Sequence, residues 1–140
     1  MRNYWLCVTT KENWGILKKK KIWGVSKTNS EILNRVKPGD YLIFYIKGKT
    51  IGGVFEATSN PFIDSEKIFD TKGFIENERF PNRIRLKPLV VPDNPLKLEK
   101  VIHQLSFISN KETWSHHFRR AMRSIPKKDC EIIIRILKQI

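Results

Sequence analysis

The sequence is poor in the residues that metal and redox chemistry needs: among 140 residues there are two cysteines and three histidines. Cys7 and Cys130 stand near opposite ends of the chain, each inside an apolar segment (Leu6-Cys7-Val8 and Cys130-Glu131-Ile132-Ile133). With no partners at useful spacing they read as two buried thiols acting as small hydrophobes. His116 and His117 are adjacent, which on a helix sets them about 100° apart and makes them poor joint ligands; His103 stands alone. The absence of His-x-Glu, His-Glu-x-x-His and Cys-x-x-Cys disfavours a metal hydrolase or deaminase. Neither a phosphate-binding loop nor a dinucleotide fingerprint is present, and Gly52-Gly53 is no substitute for one. A nucleophile and base can still be brought together in three dimensions from Cys7 or a serine. The reading is nonetheless a binding protein, not a catalyst, with no cofactor and no metal. Long apolar runs are also missing: none approaches the roughly 20 residues of a membrane-spanning helix. Met1-Arg2-Asn3-Tyr4-Trp5 lacks the apolar core of a signal peptide, so a cytoplasmic protein without a membrane partner is expected.

Negative charge is scarce as well. Lys and Arg number 27 against 14 Asp and Glu, a net charge of +13, and the excess is spread along the chain instead of gathered in a tail. Such a surface attracts polyphosphate by releasing condensed counterions; solubility, or a lysine-rich proteome, is the plainer reading, but at this magnitude nucleic acid is preferred. The apolar fraction of 40% and aromatic fraction of 11% are those of a globular chain, and the length suits one domain over residues 1–140, a monomer by default.

Tyr4–Thr9 reads as a first strand. Thr9-Thr10-Lys11-Glu12 carries a capping box that starts a helix or turn, weakened by Gly15 and closed by Lys18-Lys19-Lys20-Lys21. After Ile22–Val25, Thr28-Asn29-Ser30-Glu31 offers a second box leading into a helix with Ile32, Leu33 and Val36 on the core. Lys37-Pro38-Gly39-Asp40 stops it. Tyr41–Ile46 is nearly continuously apolar, a central strand, and Lys47-Gly48-Lys49 turns it back into Thr50–Thr58 as a hairpin. The paired glycines 52 and 53 suggest a bulge or a close approach. Residues 59–82 are loop-rich, and Arg83–Leu89 alternates charged and apolar as a strand buried on one face. Leu96–Leu105 reads as a short helix, Glu112–Arg123 as a basic amphipathic helix, and Pro126 opens a last helix that buries Ile132, Ile133, Ile136 and Leu137. The class is α+β, a small curved sheet or barrel of about five or six strands flanked by helices.

Four tryptophans, at 5, 14, 23 and 114, accompany the 27 cations. An aromatic face stacks on a nucleobase for roughly 1–3 kcal/mol, and an extruded base needs stacking walls and a few polar groups to read its edge. Trp23 is the best wall. Gly24 beside it permits close approach, and Ser26, Thr28 and Asn29 offer hydrogen bonds. The equal alternative is a core tryptophan with Gly24 in a turn. Trp5 and Trp114 read as core anchors and Trp14 as either. Lys18, Lys19, Lys20, Lys21 and Lys27 are either solvated or contacts for phosphate.

The order Tyr4-Trp5-Leu6, Trp23-Gly24-Val25, Val36-Lys37-Pro38-Gly39-Asp40-Tyr41-Leu42-Ile43-Phe44-Tyr45 and Gly52-Gly53-Val54-Phe55-Glu56-Ala57 resembles the EVE domain. Phe80-Pro81-Asn82-Arg83-Ile84 and Arg123–Asp129 look like that family's later strand and final helix. The resemblance implies a PUA-like small barrel. EVE domains are similar to YTH domains, which hold 6-methyladenine of RNA in an aromatic cage, and are themselves associated with modified bases in DNA, chiefly cytosines. It implies a reader of a modified base, either modified cytosine or methyladenine, in DNA or RNA. The alternatives are a general PUA-like RNA-binding protein and an enzyme acting on a nucleotide-like small molecule. By the resemblance Trp23 is a cage wall, Asn13 matches a pocket asparagine, and Thr9 and Thr10 fall where small polar pocket residues lie. Ser59-Asn60-Pro61-Phe62 is where the family closes its pocket, with Asn60, Phe62, Ile63 and Asp64 as candidates. Residues 24–113 contain no tryptophan, so the second wall falls to Phe62, Phe69 or Phe74.

Overall fold

A computed structural model of the chain describes residues 1–74, 77–108 and 120–140. Strands β1 (Tyr4–Thr9), β2 (Ile22–Val25), β3 (Tyr41–Ile46), β4 (Thr50–Ala57), β6 (Asn82–Val90) and β8 (Met122–Ser124) form one curled half-barrel in the order β2-β6-β4-β3-β1-β8. Two-residue strands attach beside this path, β5 (Phe62–Ile63) to β6 and β7 (Leu96–Lys97) to β4. Among the described residues the helices are α1 (Lys11–Lys20), α2 (Ser30–Leu33) and α3 (Lys127–Leu137).

Strand β3 is apolar throughout because both of its faces are covered. Leu42, Phe44 and Ile46 point to the face that also buries Trp5, Cys7, Phe55, Trp14 and Leu17 of α1, Trp23 of β2 and Leu33 of α2. Ile43 and Tyr45 point to the other face, with Leu6, Ile51, Val54 and the α3 residues Cys130, Ile133 and Leu137. The same two-residue period separates Trp5 and Cys7 from Leu6 on β1, which runs parallel to β3 in register Tyr4↔Tyr41 through Thr9↔Ile46. The β3–β4 hairpin shifts register between Phe44 and Tyr45, leaving Gly52 as the extra residue of a bulge. A Cβ on Gly52 would stand 2.5 Å from the Trp14 ring, and one on Gly53 would stand 2.8 Å from the Val90 carbonyl oxygen. The paired glycines thus serve both purposes, a bulge and a close approach.

Several local expectations are corrected. The first helix is capped by Thr10, whose Oγ1 accepts the Asn13 N–H at 3.2 Å, so the cap is one residue later than the Thr9–Glu12 box placed it, and the third position holds Asn13, whose side chain bonds Asp70. The second box does not form. Thr28 and Asn29 hydrogen-bond Ser26 instead, at 2.8 and 3.2 Å, in a 3-10 turn at Lys27–Asn29 that precedes the single turn of α2. Leu96–Leu105 is β7 followed by two 3-10 turns, Leu98–Lys100 and Ile102–Gln104. Its buried residues (Leu96, Leu98, Val101, Ile102, Leu105) recur at near-helical spacing, which is why the pattern imitates a helix. The expected helix Glu112–Arg123 lies outside the described residues except at its end, where Met122 and Arg123 pair with β1 as a strand; Trp114, His116 and His117 also lie outside them. Pro126 is the N-cap of α3, one residue before the first turn. No helix among the described residues is long and apolar enough to cross a membrane.

Candidate functional site

Strands β1 and β3 end side by side, the Lys47 N–H donating to the Thr9 carbonyl at 2.9 Å. Beside these ends lies a cavity of about 290 Å³, at the small end of the roughly 300–1,000 Å³ typical of small-molecule sites. One wall belongs to the sheet and its first helix: Val8, Thr9, Thr10, Asn13, Trp23, Gly24, Val25, Ser26 and Asn29. The other belongs to the long loop before β6, which contributes Phe69, Phe74, Glu78 and Phe80. Lys47, Arg120 and Ala121 complete the lining.

The sheet wall is set by packing. Trp23 is 3% exposed, and its ring stands edge-to-face with Phe44 at 5.4 Å. It is therefore a core tryptophan and a cavity wall at once. No described residue accepts its indole N–H or bonds the Thr9 hydroxyl, yet among the described residues no buried side-chain nitrogen or oxygen is sealed off without a partner. Both polar atoms thus reach open volume. Trp14 is core, wedged between Phe44, Phe55 and the bare backbone of Gly52. Trp5 is core too, donating its indole N–H to Asp40 at 3.0 Å.

The loop wall has almost no ladder of its own and is held by side chains. Arg83 is 1% exposed, and its guanidinium donates to the carbonyls of Phe80 and Arg79 at 3.0 Å each and to that of Glu66. It also lies 3.7 Å from Asp64 and 5.4 Å from the Phe69 ring centre. Burial lowers its pKa from the usual arginine value, while Asp64 and Glu66 oppose the shift. Asn13 reaches across with both amide atoms, donating to the Asp70 carbonyl at 2.9 Å and accepting the Asp70 N–H at 2.7 Å. Its amide is engaged in fixing the loop. Gly24 lets the two walls meet: a Cβ there would stand 2.6 Å from the Phe80 carbonyl oxygen and 2.9 Å from the Phe69 ring. Phe80 adopts a left-handed φ of 50°, uncommon for a bulky residue. It packs edge-to-face on Phe74 at 4.9 Å and on Phe69 at 6.0 Å.

Of the residues expected from sequence, Thr9, Thr10, Asn13, Trp23, Gly24 and Ser26 come together around this cavity; Asn60 and Phe62 do not. Phe62 pairs with Arg83 in the β5–β6 ladder and carries the Arg85 guanidinium 5.1 Å over its ring. Phe69 and Phe74, with Phe80, supply the aromatic surface opposite Trp23. Lys18, Lys19, Lys20, Lys21 and Lys27 are exposed at the end of α1 and after β2, outside the lining. The sequence reading missed Lys47, Glu78, Phe80, Arg83 and Arg120. Among them only the Phe80–Asn82 turn signal before a strand marked the neighbourhood.

The EVE domain family model matches residues 3–136. A UPF0310 protein of Pyrococcus abyssi is 39% identical over 145 residues, covering 96% of this chain and 99% of its own. One from Pyrococcus horikoshii is 36% identical over 146 residues, with 96% and 98% covered. Among solved structures, the YTH domain of Zygosaccharomyces rouxii MRB1, in complex with N6-methyladenosine RNA, matches with a TM-score of 0.70 at 16% identity over 99% of this chain and 88% of that one. The Pho92 YTH domain in complex with m6A matches with a TM-score of 0.70 at 15% identity over 98% and 84%. A hypothetical protein from Leishmania major matches with a TM-score of 0.65 at 18% identity over 99% and 96%. These structural likenesses show a shared fold, the curled YTH and PUA-like half-barrel.

Proposed function

The chain belongs to the EVE domain family, and from that premise we propose that it is a nucleic-acid-binding module that receives one modified base, a modified cytosine or a methyladenine, in the cavity beside Trp23. The observation that carries this reading is the cavity itself. About 290 Å³ stands between an indole and three phenylalanines, with Lys47 and Arg120 in its lining and a net charge of +13 on the chain. Aromatic surface is sequence-tolerant and stacks on any base, so the polar atoms of the sheet wall, the Trp23 N–H and the Thr9 hydroxyl, supply directional contacts. The cations hold phosphate, which positions the strand without reading it. The YTH domains of the same fold that were solved with N6-methyladenosine RNA and m6A support a ligand of this class.

The test is a binding panel of oligonucleotides carrying different modified bases, in DNA and RNA, against their unmodified counterparts at physiological salt. Trp23→Ala also removes core, so Phe74→Ala belongs beside it: Phe74 is 40% exposed and tolerates truncation. Expected is preference for one modified base in the wild type. In Phe74→Ala it drops by about tenfold or more, the loss of one stacking wall, while weaker, salt-sensitive binding persists. Equal affinity of the wild type for modified and plain strands refutes the reading. Stronger binding of structured RNA than of any modified strand favours the general RNA-binding alternative.

A further inference from the structure

Resting on that reading, we infer that Glu78 is the specificity-determining acceptor of the cavity, and that it selects a base presenting an exocyclic amino group over one presenting a carbonyl at the same place. Glu78 is half-buried in the loop wall between Phe74 and Phe80 and lines the cavity. Its Oε2 accepts the backbone N–H of Arg79 at 3.0 Å and of Phe80 at 2.9 Å. These bonds fix the carboxylate and use one oxygen. Its Oε1 receives no hydrogen bond from a described residue, and Glu78 makes no ion pair among them. A carboxylate accepts only.

Three consequences follow from the chemistry. First, the carboxylate repels phosphate, so the anionic part of a nucleotide stays with Lys47 and Arg120 and the base is the part that enters. Second, Lys47 already stands 5.9 Å from the Phe74 ring centre, so the aromatic surface does not favour a second cation, and the ligand is a neutral heterocycle. Third, the remaining lone pairs of Oε1 match an N–H of cytosine N4 or adenine N6 and oppose the O4 of thymine or the O6 of hypoxanthine. Aromatic surroundings strengthen such a bond and raise the cost of a mismatch.

The experiment uses paired bases of opposite edges, of one shape in the cytosine pair and differing also by the N-methyl in the adenine pair. Oligonucleotides with a single 5-methylcytosine are compared with thymine at that position, and N6-methyladenine with hypoxanthine, for the full chain and for Glu78→Gln. The wild type is expected to favour the amino member of the pair it binds by about ten- to a hundredfold, the worth of one hydrogen bond to a charged group. In Glu78→Gln an amide oxygen still accepts from the loop N–H groups while its NH₂ faces the cavity, so the preference collapses or reverses with the melting temperature kept. A wild type that takes thymine as well as 5-methylcytosine, and hypoxanthine as well as N6-methyladenine, overturns the inference. So does an unchanged preference in Glu78→Gln. If modified and plain strands are still distinguished in that case, the proposed function survives and Glu78 alone is misassigned; if they are not, both fall.

Discussion

The two walls of the cavity are built by opposite means. Trp23, Thr9 and Val8 are fixed by ladders on β1 and β2 and by an apolar core that spans α1, β3 and β4. Phe69, Phe74, Glu78 and Phe80 sit in a loop whose only strand among the described residues is the two-residue β5, and are fixed by Arg83, by Asn13 and by the missing side chain of Gly24. A wall held by many small apolar contacts fails only when the whole fold fails. A wall held by two polar tethers and one close approach can leave by itself, because exposed loop backbone loses little on meeting water. On the proposed function the difference divides labour: the sheet supplies a fixed surface with Trp23 and Thr9, and the loop supplies Glu78 and the facing phenylalanines.

The sharpest way to break this contrast is Arg83→Met. It removes three charge-assisted hydrogen bonds to the Glu66, Arg79 and Phe80 carbonyls. The expected cost is about 3 kcal/mol, limited by release of the loop. Native-state hydrogen exchange reads it directly. The amides of Asp64, Asp70 and Phe74, bonded to Pro81, Asn13 and Thr71, should lose protection, while those of β1 and β3 keep theirs. Equal loss in β3 would show that the walls are one cooperative unit.

Gly24→Ala acts where the walls touch, and a smaller penalty of about 1–3 kcal/mol is expected from overpacking. The added methyl meets a backbone oxygen at 2.6 Å, which no rotamer change can clear. In the Arg83→Met background, with the loop already displaced, the same methyl meets little and should cost less than half as much. A double-mutant cycle by chemical denaturation gives that coupling. Strict additivity would mean that Gly24 is needed for the β2 ladder and not for the loop.

The same division explains what the sequence revealed. β1, β3 and β4 were legible because short β-branched and aromatic runs bounded by turn residues read as strands; Trp23 stood out as an indole beside Gly24, and Thr9, Thr10 and Asn13 came from the family resemblance. The loop wall was legible only in part: Phe69 and Phe74 were among the phenylalanines offered as a second wall, but Glu78, Phe80 and Arg83 were not. Arg83 and Arg85 lie on the same side of β6, yet Arg85 is exposed and Arg83 is covered by the long loop that leads into the strand, which folds back over it from as far as Glu66. Nothing local distinguishes them. Asn60 and Phe62 drew attention by following β4 directly, whereas the residues that reach the cavity come from further along, drawn in by Arg83. A tether acting between distant positions leaves no periodicity. Met122–Ser124 misled for a related reason: a short edge strand owes its structure to β1 and not to its own propensities.

The smallest expected effect concerns Cys7 and Cys130, and its smallness is the point. Cys7 lies in β1 and Cys130 in α3, and neither lines the cavity. Burial raises the Cys7 pKa far above the usual range and, with Glu131 nearby, pushes Cys130 up to about 12. An alkylating reagent needs thiolate, so at pH 8 the native protein should react only by opening the sheet. Raised folded pKa values favour the neutral thiol. Their stabilising contribution is complete below the unfolded value of about 8.5 and declines as pH climbs from there toward 12, so labelling should accelerate through that window. Arg83→Met, which frees the loop, should leave the rate at pH 8 unchanged once global stability is matched with denaturant. Faster labelling in that variant would mean that the loop and the sheet open together, and the two walls would then be one structure after all.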